Sequence, residues 1–243
     1  SYRETRGIAV VTIDHPPVNA LSVVVREGLR DAIAKANADD AVRGIVLRTE
    51  GSTFVAGADI KEMQQGRHLE SPTVREIQDA LQAGKPSVAA IHGAALGGGL
   101  ELAAACDLRV MAPKAALALP EAGVGIVPGW SGTQRLLRLL PEPMVKEMAL
   151  FGHRIKADRA LACGFVAAVD EDPRAAALAL LERAVTLSPR AVEVAKTMIH
   201  AAQGEDRAAM VEALGSAAIA ATDDRAEGVA AFRDKRTPDF SGK

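Results

Sequence analysis

The segment that most constrains this chain is Gly97-Gly98-Gly99-Leu100-Glu101-Leu102-Ala103-Ala104-Ala105-Cys106. Three glycines run directly into a helix that is apolar on every side except for one glutamate. Such a helix has no face to offer to water, so it belongs inside the molecule with other elements packed around it. The glycines leave backbone N–H groups uncovered at the helix start, where the macrodipole adds positive charge. That suits a developing negative oxygen, and it equally suits a tight bend or a close backbone approach. Neither common phosphate-binding pattern is completed: position 102 is leucine where a dinucleotide fingerprint needs a third glycine, and no Gly-Lys-Ser or Gly-Lys-Thr occurs.

The elements around this helix alternate. Gly7 to Ile13 is an apolar run stopped by Asp14-His15-Pro16-Pro17, which predicts a strand. Residues 23–38 carry Val25, Leu29, Ala32, Ile33 and Ala36 on one helical face. Strands are predicted over 43–49, 85–92 and 115–119, and a helix over 73–83. Strands that are apolar through most of their length, alternating with helices, predict a layered α/β domain.

Beyond residue 140 the rhythm becomes helical. Ser131 followed by Gln134 predicts a capping box opening a helix, Gly164 a stop after a helix at 157–163, and Ser188-Pro189 a cap with proline in the first turn. Phe165 to Val169 keeps some strand character. Further helices are predicted at 173–185, 190–203, 206–220 and 224–236. Their alanine content suits close packing, on the core or against another subunit. The expected division is a core with the functional site over 1–188 and a helical packing region over 189–243.

The candidate chemistry lies in carboxylates near glycines. Glu101 sits in the first turn of the apolar helix, where a buried charge needs a partner; an arginine would serve, and so would a catalytic role. Glu121 follows strand 115–119 before the glycine-containing Ala122-Gly123-Val124-Gly125, where loop carboxylates are usually solvated. Together the two carboxylates can supply a general acid and a general base. Asp59 is placed to cap the segment after Ala56-Gly57-Ala58, and Lys61 to meet an anion or simply water. Ser131 misses the nucleophile-elbow pattern because Thr133 replaces its second glycine. The histidines are scattered without metal-type spacing, and His92 alone lies near the glycine run. No metal site is expected. Cys106 and Cys163 stand 57 residues apart, which fits packing in a reducing compartment.

Other classes are disfavoured by composition. With 29 basic and 31 acidic residues the net charge is -2, which gives no general attraction for nucleic acid. Charged residues interrupt every apolar stretch, so no membrane span is expected. The content of 49 % hydrophobic residues argues against disorder. The chain starts at Ser1, leaving room for a cleaved organelle-targeting peptide; a bacterial source would imply the cytoplasm.

Three ordered motifs then carry a resemblance. Phe54-Val55-Ala56-Gly57-Ala58-Asp59-Ile60-Lys61-Glu62-Met63, Ala95-Leu96-Gly97-Gly98-Gly99-Leu100-Glu101-Leu102, and Pro120-Glu121 followed by Ile126-Val127-Pro128-Gly129 and Gly132-Thr133-Gln134-Arg135 resemble the enoyl-CoA hydratase/isomerase (crotonase) superfamily. The likeness extends from Pro16-Pro17-Val18-Asn19 to Phe232-Arg233-Asp234-Lys235. It implies a spiral of repeated ββα units with a C-terminal helical trimerisation region, assembled as a trimer or a dimer of trimers.

The resemblance also implies an acyl-CoA thioester substrate. The N–H groups of Ala58 and Gly98 would form an oxyanion hole. Glu121 would exchange protons at the α-carbon, and Glu101 would share in activating water. Ala56, Asp59, Ile60 and Lys61, with Phe232 and Lys235, would contact CoA. Gly129 and Trp130 would line the acyl pocket. No separate cofactor is implied, because CoA arrives with the substrate. Possession of both glutamates favours a free-standing enoyl-CoA hydratase over an isomerase, another acyl-CoA reaction, or an RNA-binding relative. Trp130 and Ser131 depart from the small residues usual after the Pro-Gly pair, so the indole either reshapes the pocket or points away into packing.

Overall fold

The computed structural model describes residues 1–67, 70–124, 126–202, 222–234 and 236–243. Strands β1 (Tyr2–Thr5) and β2 (Ile8–Ile13) form an antiparallel pair and lead to helix α1 (Val23–Ala38). Its buried residues Val25, Leu29, Ile33 and Ala36 lie on the predicted stripe, and the Ser22 hydroxyl caps its first turn.

A unit then repeats. Strand β3 (Gly44–Thr49) leads into the short β4 (Thr53–Val55) and, past α2 (Ile60–Gln64), to α3 (Val74–Ala83). Strand β5 (Ser87–Ile91) leads into β6 (Ala94–Leu96) and α4 (Gly98–Ala105). Strand β7 (Leu108–Met111) leads into β8 (Ala116–Ala118), a 3-10 turn (Glu121–Val124) and α5 (Gly132–Leu139). The chain continues through α6 (Glu142–Phe151), β9 (Ile155–Lys156), α7 (Ala157–Ala162) and β10 (Ala168–Val169). Helices α8 (Pro173–Ala184), α9 (Pro189–Ala201) and α10 (Asp223–Asp234) complete the described elements.

The first strand of each turn joins a six-stranded sheet, β1-β2-β3-β5-β7-β10, parallel except for β1; the second joins a four-stranded sheet, β4-β6-β8-β9. This is a spiral of ββα turns. Alternate residues of the large sheet enter separate cores, as a pleat requires. Ala9, Val11 and Ile13 face the main core, while Ile8, Val46, Val88 and Val110 face Ala177 and Leu181 of α8. Strands covered on both faces read as continuous apolar runs, which is why they were legible.

Helix α4 is the interior helix expected, with all eight residues buried. Gly99 permits its position: a Cβ there would lie 2.2 Å from the Val55 carbonyl oxygen.

Several expectations need correction. Strands β1, β4, β6, β7 and β9 were not foreseen, because two to four residues are too few to show a period. The predicted strand 85–92 stops early at the His92-Gly93 bend, where His92 Nε2 lies 2.8 Å from the Gly51 carbonyl. Only residues 168–169 of the 165–169 segment form a strand. The capping box at Ser131 does not form: Ser131 is left-handed (φ 73, ψ 13) and its hydroxyl makes no cap bond. A capping box does form at Thr73 and Glu76, at the start of α3. The helix expected at 206–220 lies outside the described residues.

The expected division at residue 188 falls at the N-cap of α9, which is tied back to the core. Lys196 Nζ donates to the carbonyls of Leu81 and Lys85 and to Asp107 Oδ2, at 2.6, 3.0 and 2.8 Å. Among the described residues, no helix is long and apolar enough to cross a membrane.

Arg26 of α1 is fully buried and donates to four carbonyls, those of Leu21, Arg67, Glu70 and Pro72. Replacing it with Met strands these acceptors, so Arg26→Met should lower the unfolding free energy by about 3 kcal/mol. Urea denaturation followed by circular dichroism measures this; an unchanged midpoint would show the guanidinium to be dispensable.

Candidate active site

Two backbone segments meet at the start of α4. Gly57 adopts φ +106, and a Cβ on it would stand 3.2 Å from the Leu96 carbonyl oxygen and 3.6 Å from Gly98 N. Gly97 adopts φ +50, and its N–H is engaged by the Ala118 carbonyl at 2.9 Å. These positive φ values favour glycine, and they bring residues 57–58 alongside residues 97–98. Among the described residues, neither Ala58 N nor Gly98 N has a backbone acceptor. Two unengaged donors are thus held close together beside the positive end of a buried helix.

These donors border a cavity of about 550 Å³ whose wall includes Ala56, Gly57, Ala58, Gly97, Gly98, Glu101, Glu121, Gly129 and Trp130. Apolar side chains of Ile60, Met63, Ile126 and Val127 complete much of it. The structure therefore brings both glutamates, both proposed donors and both acyl-pocket residues to one place.

Glu101 projects from the first turn of α4 and is 1 % exposed. No arginine forms an ion pair with it among the described residues. Instead, its Oε1 accepts the N–H of Trp130 at 2.9 Å and of Gly132 at 2.6 Å. Ser131 makes no cap because its backbone is left-handed where a capping serine is extended, and its hydroxyl accepts from Arg75 Nη1 at 3.0 Å instead. Glu101 Oε2 is buried without a hydrogen-bond partner among the described residues. Burial pushes the carboxyl pKa up to about 7, against the opposing pull of the two backbone donors; the charge of Glu121 adds a smaller push upward.

Glu121 opens the 3-10 turn after β8, and its carboxyl lies against the α-carbon of Gly97, where a Cβ would stand 2.6 Å from Oε1. Its Oε2 is likewise buried and unpartnered among the described residues, and burial raises its pKa. It is not the solvated loop carboxylate that its local sequence suggests.

Trp130 lies across Gly98. A Cβ on Gly98 would be 2.5 Å from the indole Cζ3 and 3.4 Å from Leu21 Cδ1. The indole is therefore part of the cavity wall beside a donor, and it packs against the edge of the main core as well.

The remaining candidates are placed differently. Asp59 caps α2, accepting from Lys61 N and Glu62 N, and Lys61 is exposed on that helix. Ile60 is 66 % exposed at the cavity mouth. Phe232 falls in α10, while Lys235 lies outside the described residues. Sequence reasoning did not single out Met63, Ile126 or Val127 as wall residues, nor Gln78, a polar residue inside the apolar stripe of α3. That break in the stripe was a readable signal. No cluster of three or more His, Cys, Asp or Glu that could hold a metal ion occurs among the described residues.

Comparison with known proteins agrees with this arrangement. The family model for enoyl-CoA hydratase/isomerase matches residues 3–243. The chain belongs to the enoyl-CoA hydratase/isomerase family. It is 36 % identical to a Bacillus subtilis (strain 168) protein named "Probable enoyl-CoA hydratase", over 97 % of this chain and 96 % of the relative. It is 38 % identical to the Mus musculus protein "Enoyl-CoA hydratase domain-containing protein 2, mitochondrial", over 98 % and 86 %. A crystal structure of enoyl-CoA hydratase from Bacillus anthracis superposes with a TM-score of 0.94 at 34 % identity, covering 100 % of this chain and 99 % of that one. The fold is thus the crotonase fold, with its C-terminal helices present.

The buried carboxyl of this crotonase-fold protein has a consequence for stability. The folded-state pKa of Glu101, about 7, lies above its ordinary 4.5. The native state therefore holds the extra proton across that interval, and stability falls as pH rises through it. Glu101→Gln keeps an acceptor for the two N–H groups and removes the titration. Relative to the parent, the variant should gain about 2–3 kcal/mol between pH 5 and pH 8. Denaturant titrations at the two pH values check this, and a pH-independent difference would contradict the raised pKa.

Proposed function

We propose that the protein is an enoyl-CoA hydratase, adding water reversibly across the C2=C3 bond of a 2-enoyl-CoA to give a 3-hydroxyacyl-CoA. The observation that carries this reading is the convergence of two desolvated carboxyls and two unengaged backbone N–H groups on one apolar-walled cavity.

In this reading the thioester oxygen accepts from Ala58 N–H and Gly98 N–H. Charge grows on that oxygen as C3 is attacked, so donors fixed there stabilise the transition state more than the substrate. Two buried carboxyls facing one cavity favour a shared single proton at neutral pH. Glu101, with two backbone donors on one oxygen, is the better holder of charge. Glu121, whose Oε2 has no donor among the described residues, is the better holder of the proton. Glu101 then accepts a proton from water as the water oxygen bonds to C3. The displaced π electrons pass toward the thioester, and Glu121 delivers its proton to C2. The sum is one water added, with Glu101 left protonated and Glu121 ionised; return of that proton from Glu101 to Glu121, directly or through solvent, restores the starting state. The thioester is its own electron sink, so this chemistry calls for neither a metal nor a redox cofactor. CoA itself is proposed to run past Ala56, Ile60 and Lys61, with Asp59 shaping that surface through its cap on α2 and Phe232 and Lys235 contributing from the C-terminal region.

Crotonyl-CoA tests the reading. Loss of the conjugated enoyl-thioester absorbance should accompany a product heavier by one water. Glu121→Gln and Glu101→Gln should each lower turnover by about a hundredfold to ten-thousandfold, with CoA affinity retained. A product of unchanged mass from a 3-enoyl-CoA, without hydration of 2-enoyl thioesters, would replace hydration by isomerisation. Parental turnover in Glu121→Gln would overturn the assignment of that residue.

A further inference from the structure

Helix α3 carries one polar side chain into the core. Gln78 is fully buried alongside Val74, Ile77 and Leu81 of the same helix, and it is not part of the cavity wall. An amide in that position is costly unless it is bonded. Its Nε2 donates to the Trp130 carbonyl at 2.9 Å, while its Oε1 is buried without a partner among the described residues, so the one bond carries the placement of the amide. Three residues earlier on the same helical face, Arg75 Nη1 donates to Ser131 Oγ at 3.0 Å. Both contacts land on the turn formed by Trp130, Ser131 and Gly132, and from its other side this turn gives Glu101 its two N–H donors.

The Ser131 carbonyl of this turn starts α5, accepting from Gln134 N and Arg135 N at 3.2 and 2.7 Å, while the Trp130 carbonyl is held by Gln78. Ser131 adopts the left-handed conformation, which costs a non-glycine residue about 1–2 kcal/mol and persists where surroundings enforce it. The Trp130 carbonyl belongs to the peptide that lies between the two whose N–H groups bond Glu101, so fixing it toward α3 restrains the dihedrals on either side and through them the directions of the N–H groups at 130 and 132.

We infer that Gln78 is a positioning residue for Glu101, acting through the Trp130 carbonyl to keep two backbone N–H groups on one carboxylate oxygen while the other stays unbonded. It touches no substrate. The inference rests on the proposed role of Glu101 in activating water. It adds a third layer to the site: α3 holds the turn, the turn holds the carboxylate, and the carboxylate holds the reactant water.

Gln78→Met fills a similar volume without a donor. Three readouts are compared in parent and variant. The Glu101 carboxyl is titrated by carbon-13 NMR, assigned through Glu101→Gln; loosened donors should move its pKa upward. The other charged groups acting on it, Glu121 and Arg135, are the same in both proteins. Hydration of crotonyl-CoA should lose about tenfold to a hundredfold in kcat, with KM within about twofold. Exchange of the C2 proton of butyryl-CoA in deuterium oxide should stay within about twofold. In that exchange the form with the shared proton on Glu101 and Glu121 ionised reacts: Glu121 removes the C2 proton, the electron pair moves onto the thioester oxygen, Glu121 exchanges its proton with solvent, and a deuteron returns to C2 as the pair moves back, with no water added at C3.

A fall in hydration alone, with the shifted titration, supports the inference. Unchanged kcat overturns it, whatever the titration does. Hydration, exchange and melting temperature falling together also overturn it, because that pattern marks general loss of structure. If the parent hydrates no enoyl thioester but the titration still moves, the hydratase reading fails and the positioning of Glu101 stands. Should Gln78→Met not fold, Arg75→Ala, at a side chain 61 % exposed, releases the other α3 contact. It should lower kcat by about twofold to threefold, and parental kcat in that variant would count against the inference.

Discussion

The structure depends on how closely the start of α4 can approach the backbone around it. All eight residues of this helix are buried, and its first turn meets β4, the 57–58 segment and the Glu121 turn at distances that leave no room for a side chain. Gly99 faces the Val55 carbonyl, Gly98 faces the indole of Trp130, and Gly97 faces the Glu121 carboxyl. The approach that packs the core is also the one that sets two peptide N–H groups side by side. Packing and chemistry are therefore satisfied by the same three residues.

Around that contact the protein keeps its charges few and fully directed. Glu101 is solvated by the backbone of a turn 29 to 31 residues further along the chain, in place of an arginine. A backbone donor pair holds a carboxylate in place without cancelling its charge, and an ion pair would cancel it. The carboxyl so held can still gain and lose a proton near neutrality, which is what acid–base work requires. Elsewhere the buried charges Arg26 and Lys196 are used in the opposite way: they are surrounded by carbonyl acceptors and lock segments together.

Much of the fold was legible because its signals are local. The apolar runs of β2, β3 and β5, the stripe of α1 and the apolar α4 each follow from burial on known faces. The strands β4 and β6 were not legible, since three residues pair only because the spiral brings them together. The site divided along the same line. The glycine run and Glu101 stood out as a donor array and a charge in an apolar helix. Glu121 was a candidate from its place beside glycines, but its burial against Gly97 and its convergence with Glu101 could not be read from a loop sequence. Ser131 misled for a related reason: its serine–glutamine spacing is a helix-start pattern, but the turn that presents the neighbouring N–H groups to Glu101 is left-handed at Ser131, and the hydroxyl is taken by Arg75, distant in sequence. The path of the Trp130 indole was a tertiary fact, set by its approach to Gly98 and its packing on the main core.

The turn at 130–132 separates two tasks that many sites combine in one side chain. It supports Glu101 solely through main-chain atoms, which nearly every residue type possesses. The indole at position 130 is left to shape the cavity and to pack against the core. Exchange of that ring would change the cavity while every residue type but proline keeps the N–H that bonds Glu101. Shape and support are thus separable at one position: the first is carried by the side chain and the second by the backbone.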